Sequence, residues 1–145
     1  MRRQIAIITG ATIALAVPGV ATAASRFYRG PAGSGRNASI EITAKLSRRR
    51  SHRPIRLTRI ELNNIPAQCG GSGPTTAYLL YPHNIPVASG AFSDTASFNG
   101  GRATVTLSGS FTNHNLTVSG HLHIKGALPG CASANTGAVA YSAKH

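Results

Sequence analysis

The chain is poor in acid. Only Glu41, Glu61 and Asp94 stand against 15 lysines and arginines in 145 residues, a formal net charge of +12. That scarcity removes most hydrolytic chemistry. Glycoside cleavage generally needs two carboxylates at a set separation, and Glu41 and Glu61 read as surface positions of strands. A Ser-His-Asp triad would have to use Asp94 with one of six histidines, and no Gly-x-Ser-x-Gly elbow is present. P-loop and dinucleotide fingerprints are missing too. No cofactor is implied, and the chain reads as a non-enzyme. Cysteine is also scarce. Cys69 and Cys131 lie outside any Cys-x-x-Cys or nucleophile context, which disfavours a metal pair or a catalytic thiol. Long helical periodicity is lacking, and so is a second apolar run of membrane-spanning length.

The first 23 residues read as an export signal. Arg2 and Arg3 form a basic start, residues 5–17 an apolar run, Pro18-Gly19 a break, and Ala21-Thr22-Ala23 a small-residue cleavage site. The run is shorter than the roughly 20 residues a spanning helix needs, so an uncleaved anchor is the lesser reading. Arg2-Arg3 also fits a twin-arginine route, weakly supported by the residues that follow. The expected product is a secreted or cell-surface domain over residues 24–145. It keeps 13 basic and 3 acidic residues, a net charge of 13 − 3 = +10. In an exported chain Cys69 and Cys131 are expected to form a disulfide. It closes a loop of about 63 residues, worth roughly 4 kcal/mol in the chain-entropy picture.

The mature region alternates apolar and polar residues in short runs separated by Gly, Pro and Asn. Residues 40–46 form one such strand. Residues 55–62 form another, whose phase slips at Thr58-Arg59, so a β-bulge there would align Ile55, Leu57, Ile60 and Leu62 on one face. Residues 76–81 and 87–92 are further candidates, and residues 137–142 a last strand. The clearest signal is an eleven-residue echo: Val105-Thr106-Leu107-Ser108-Gly109-Ser110-Phe111, then Leu116-Thr117-Val118-Ser119-Gly120-His121-Leu122. It predicts a hairpin turning at Asn113-His114-Asn115. Val105, Leu107, Phe111, Leu116, Val118, Leu122 and Ile124 point inward, with Gly109 and Gly120 at close-packed or bulged inward positions. The pattern predicts an all-β chain, a single antiparallel two-sheet β-sandwich of Greek-key or jelly-roll type.

Tyr28-Arg29-Gly30, Ile40-Glu41-Ile42, a strand leading to a lone Cys (Ile60 to Cys69), Ser108-Gly109-Ser110-Phe111, and Cys131 before a short aromatic-bearing strand together form a loose pattern. In it the chain resembles small secreted β-sandwich proteins of high-GC Gram-positive bacteria. Tyr141 stands where that group often carries Trp, and the basic stretch 48–59 departs from it. The resemblance implies a fold and a compartment and supplies no activity or catalytic residue.

Three features are candidate sites. Arg48, Arg49, Arg50, Arg53, Arg56 and Arg59 place six guanidinium groups within twelve residues, suited to bidentate contacts with phosphate or sulfate. No aromatic residue lies among them to stack on bases. The expected partner is therefore an anionic polysaccharide or cell-envelope polymer, without sequence-specific nucleic-acid binding. The blander reading is a solvated loop whose charge deters strand-edge aggregation. His121 and His123 share one strand face about 6.8 Å apart; they are the alternative, a metal-binding protein or metal-dependent enzyme, and they need a third ligand. Last, the outward Ser and Thr residues of the hairpin make a flat hydroxyl surface, which is also the usual wet face of an antiparallel sheet.

Overall fold

The computed structural model describes residues 23–49 and 51–145. The export segment, apart from Ala23, and Arg50 lie outside the described residues. The chain forms ten strands: β1 (Ser25–Pro31), β2 (Ser39–Leu46), β3 (Pro54–Cys69), β4 (Gly73–Leu80), β5 (Ile85–Pro86), β6 (Ala91–Phe98), β7 (Ala103–Thr112), β8 (Thr117–Leu128), β9 (Cys131–Asn135) and β10 (Val139–Lys144). A single 3₁₀ turn (Asn99–Gly101) joins β6 to β7 among the described residues. Every pairing is antiparallel. The fold is all-β, and Cys69 and Cys131 are joined as a disulfide. No helix among the described residues is long and apolar enough to cross a membrane.

The alternating pattern by itself implies two sheets stacked face to face. The ladder instead closes into a ring of six strands, β1-β2-β3-β9-β8-β10 and back to β1, with β7 and β6 continuing beyond β8 and with β4 and β5 added to β3. Closure depends on a divided strand. β7 occupies one edge of β8 from Thr117 to Gly126, so β10 and β9 share the other, β10 against 117–122 and β9 against 125–128. Between them, Thr136 Oγ1 accepts the Ile124 N–H at 2.9 Å and Asn135 Oδ1 accepts the Gly137 N–H at 2.8 Å. These bonds satisfy the interrupted backbone, and Gly137 takes the left-handed φ of 63°. Past this corner, β9 meets the end of β3 through Gln68 and Cys69, while β10 meets β1 through Arg29 and Lys144. Closing the ring in this way removes edges that two separate sheets would leave open.

β3 carries the bulge expected at Thr58: Thr43 faces Arg59 and Ala44 faces Leu57. A second irregularity follows, because Lys45 faces Arg56 and Leu46 faces Pro54. Two extra residues in five positions turn the period of two into a period of three. Pro54, Leu57 and Ile60 are therefore buried, and Ile55, expected inward, is 44% exposed. The hairpin β7–β8 pairs in the expected register, with Leu107 opposite Leu122 and Gly109 opposite Gly120. Val105, Leu107, Val118, Leu122 and Ile124 are buried and Phe111 is partly so. Leu116 is exposed, because the turn takes four residues, with Asn113, His114 and Asn115 all at positive φ. The strand expected at 87–92 begins later, at Ala91, and β1 and β9 are strands without a period-two signal strong enough to predict them.

Gly109 and Gly120 mark close packing. A Cβ at Gly109 would stand 2.7 Å from Phe92 Cζ and against the Tyr141 hydroxyl, and one at Gly120 would overlap the Ser108 backbone. Phe92, Gly109, Gly120 and Tyr141 form one row across β6, β7, β8 and β10, so the two aromatic rings fill the space above the two glycines. Tyr141 donates to Ser108 O at 2.9 Å, which satisfies its buried hydroxyl.

Candidate functional site

The ring has two ends. At the first lie residues 47–53 between β2 and β3, 87–90 between β5 and β6, and 113–116 between β7 and β8, together with the start of β1. None of these loops contains Asp or Glu. The loop 47–53 closes as an arch: the Ser47 N–H donates to Arg53 O at 2.8 Å, the Arg53 N–H to Ser47 Oγ at 3.2 Å, and the His52 N–H to Arg49 O at 3.0 Å. His52, next to the closing residue Arg53, takes φ 41°. Arg48 and Arg49 project from this arch and are exposed.

Beside it lies a cleft of about 420 Å³ lined by Arg53, Pro54, Ile55, Val87, Ser89, Gly90 and Asn115. The bulge that turns Ile55 outward makes this wall, and the Val87 N–H donates to Ile55 O at 3.0 Å to hold the facing strand. The far wall is pinned from β1: Arg26 Nη1 and the Tyr28 hydroxyl both donate to Asn115 O, at 2.9 and 2.7 Å. Burial of Tyr28 raises its pKa, against the opposing pull of Arg26. The cleft thus combines one lining guanidinium, a hydroxyl and an amide with a short apolar wall.

The arginines divide. Arg53 lines the cleft and Arg48 and Arg49 stand in the adjoining arch, while Arg56 and Arg59 project from the outer face of β3. Arg59 Nη2 is 3.1 Å from Glu61 Oε1, an ion pair that occupies its charge. Lys45, directly opposite Arg56, extends the basic strip along β2. Arg48, Arg49 and Arg53 belong to the loop before β3, and Arg56 and Arg59 to β3 itself.

His121 and His123 lie on the outer face of β8, opposite Ser108 and Thr106. His123 Nε2 donates to Asn135 Oδ1 at 2.8 Å. Among the described residues no group of three or more His, Cys, Asp or Glu is placed to hold a metal ion. The hydroxyl surface extends further than the hairpin, since Ser93, Thr95 and Ser97 of β6 continue it beside Ser108, Thr106 and Thr104. Thr95 and Thr106 are hydrogen-bonded to each other at 3.3 Å.

Two clusters went unread in the sequence. Asp94 occupies an inward position of β6, opposite Leu107, where Tyr81 Oη donates to its Oδ2 at 2.6 Å and His83 Nε2 to the same atom at 2.7 Å. Burial pushes the Asp94 carboxyl up, but the hydrogen bonds from Tyr81 and His83 outweigh it and hold its pKa below the ordinary range. Burial and the bond to Asp94 raise that of Tyr81. An inward charge on an edge strand also blunts edge-to-edge pairing. The second cluster is the pair Glu41 and Glu61, cross-strand neighbours on β2 and β3. Alternation marks both as outward, but only the register brings them together. Hydrogen bonds from Arg59, then Tyr78, lower the pKa of Glu61.

Comparison of the chain with protein-family models, with curated proteins and with solved structures finds no match in any of the three.

Proposed function

We propose that this is an exported, non-catalytic binding module that attaches to anionic envelope or extracellular polymers through the arginine-bearing end of its ring. The observation that carries this reading is the acid-free arch 47–53 with Arg48 and Arg49 exposed beside a cleft that Arg53 lines. Guanidinium groups suit carboxylate, sulfate and phosphate by bidentate hydrogen bonding. A +10 mature charge adds long-range attraction to any such polymer. The compartment rests on the N-terminal segment, and the disulfide accords with it. The divided arginines narrow the contact to Arg48, Arg49, Arg53 and their neighbours and leave Arg59 to its ion pair with Glu61.

The test is retention on immobilised heparin over a salt gradient. Replacing Arg48, Arg49 and Arg53 together by Ala should bring elution to much lower salt and flatten the salt dependence by roughly one unit per lost contact. Replacing Arg29, Arg36 and Arg102, which removes equal charge elsewhere, should move it far less. Equal shifts from both triple variants would reduce the binding to net charge alone and sink the reading.

A further inference from the structure

A second surface, separate from the arginine cleft, has a different chemistry. Two successive outward rows cross the first three strands: Arg29-Glu41-Glu61 and Pro31-Ser39-Asn63. They floor a groove of about 710 Å³, walled by Arg36, Asn37 and Asn64. Two of the three carboxylates of a strongly basic chain thus stand side by side, an arrangement that is unfavourable without compensation. Compensation comes from Arg29 Nε at 3.2 Å from Glu41 Oε1, from Arg59 Nη2 at 3.1 Å from Glu61 Oε1, and from the Tyr78 hydroxyl, which donates to the same oxygen at 3.0 Å. All three contacts fall on Oε1. A carboxylate offers about four acceptor sites, so these contacts leave acceptor capacity on both groups at the groove that they line.

The backbone and the exposed rings add to this. β3 bulges at Asn63-Asn64, two residues against the single Tyr78, with Asn64 at φ 53°. The bulge sets two amide side chains at the groove where a regular strand would set one. Phe27, two residues before Arg29 and so on the same face, is 48% exposed, and Tyr78 is 65% exposed. Neither ring belongs to the buried core; Tyr78 reaches Glu61 through its hydroxyl, and Phe27 stands opposite Thr43, in the outward row next to Arg29 and Glu41.

Charge decides which ligand fits. Glu41 and Glu61 repel a phosphate or sulfate, and Arg29, Arg36 and Arg59 repel a simple cation. An uncharged polyhydroxyl ring suits both sets. Its hydroxyls donate to the carboxylate oxygens and accept from guanidinium and amide groups, and its C–H face packs on an aromatic ring. We infer that this outer face binds uncharged carbohydrate, one or two hexose units seated over Glu41, Glu61 and Asn63 with Phe27 and Tyr78 as flanking platforms.

The experiment is a titration of the isotopically labelled, disulfide-bonded protein with cellobiose and, separately, N,N′-diacetylchitobiose, followed by amide NMR shifts. Saturable shifts at Ser39, Glu41, Glu61 and Asn63 with either sugar are expected. Tyr78→Ala and Asn63→Ala should each weaken binding about tenfold while the spectrum away from the groove is unchanged. Shifts that are absent, unsaturable or confined to other faces with both sugars would overturn the inference. Wild-type affinity in both folded variants would overturn it as well. Neither result bears on heparin retention, so this inference and the arginine reading fail separately.

Discussion

The two ends of the ring are built on opposite plans. At one, Cys69 and Cys131 are covalently joined with a Cα–Cα distance of 5.7 Å, and Ala67, Ala134 and Leu128 pack around them as a small second core. Three of the connections there are short, residues 70–72, the 3₁₀ turn and residues 129–130, while residues 32–38 between β1 and β2 form a longer one. At the other end no covalent link joins the strands. Residues 47–53, 87–90 and 113–116 are held by hydrogen bonds, among them those from Arg26 and Tyr28 to Asn115 O, from the His145 N–H to Leu116 O at 3.0 Å, and from His145 Nδ1 to Phe27 O at 2.9 Å. Like charges gather at the end with no cross-link. The comparison teaches a division of labour: stability is fixed at one end, so that self-repulsion among the arginines can be tolerated at the other.

The largest expected effect comes from breaking the covalent end. Changing Cys69 and Cys131 together to Ser should lower unfolding free energy by about 3–5 kcal/mol in a urea titration. If the ends are independent, the heparin elution of the folded fraction stays where it was. A loss of only a few tenths would mean that the uncross-linked end carries more stability than its bonds suggest.

Asp94→Asn should follow, at about 1–2 kcal/mol, since Tyr81 and His83 both lose an ionised acceptor. The pH dependence has a defined sign. Because the folded Asp94 pKa is lowered, its contribution is fully present above the unfolded carboxyl value, and it is lost as pH falls through the folded value. Thermal midpoints of wild type and Asp94→Asn should therefore converge in acid. A gap that persists at the lowest pH would assign the stabilisation to packing.

Tyr28→Phe tests the uncross-linked end and should cost about 1 kcal/mol, the net value of one hydrogen bond. Its sharper readout is hydrogen exchange, where amides of 113–116 should lose protection while those of β9 keep theirs. The smallest effect is expected of Arg48, Arg49 and Arg53 changed together to Ala, within about 0.5 kcal/mol in stability despite the large change in heparin retention. A marked gain in stability would instead measure the repulsion among them.

Much of this architecture was legible in the chain. The eleven-residue echo led directly to β7–β8, and the phase slip at Thr58-Arg59 to a real bulge, because both are local departures from a period of two. Ile55 was misread because the second bulge, one turn of alternation earlier, has no composition signal. The closed ring could not be read at all. It depends on Asn135 and Thr136 satisfying the backbone at a corner, and on which strand edges remain open after β7 has paired. The same holds for the Glu41–Glu61 groove: alternation put each carboxylate outward, and only the register set them opposite each other. The arginines are close in sequence, but that closeness does not say which of them stand in the loop, as Arg48 and Arg49 do, and which on the outer face of β3, as Arg56 and Arg59 do.

β10 closes the ring by lying between β8 and β1, which gives the order of synthesis a physical meaning. Until Val139–Lys144 has been made, β1 has one neighbour in place of two, and the Tyr28 ring lacks the His145 ring that packs 6.0 Å away. Pairing the first strand with the last also makes the longest loop closure the final one, the slowest class of folding contact. A chain folding to this design completes its ring only when β10 has paired on both sides, so the contact that seals the structure is also the one that joins the residues farthest apart in sequence.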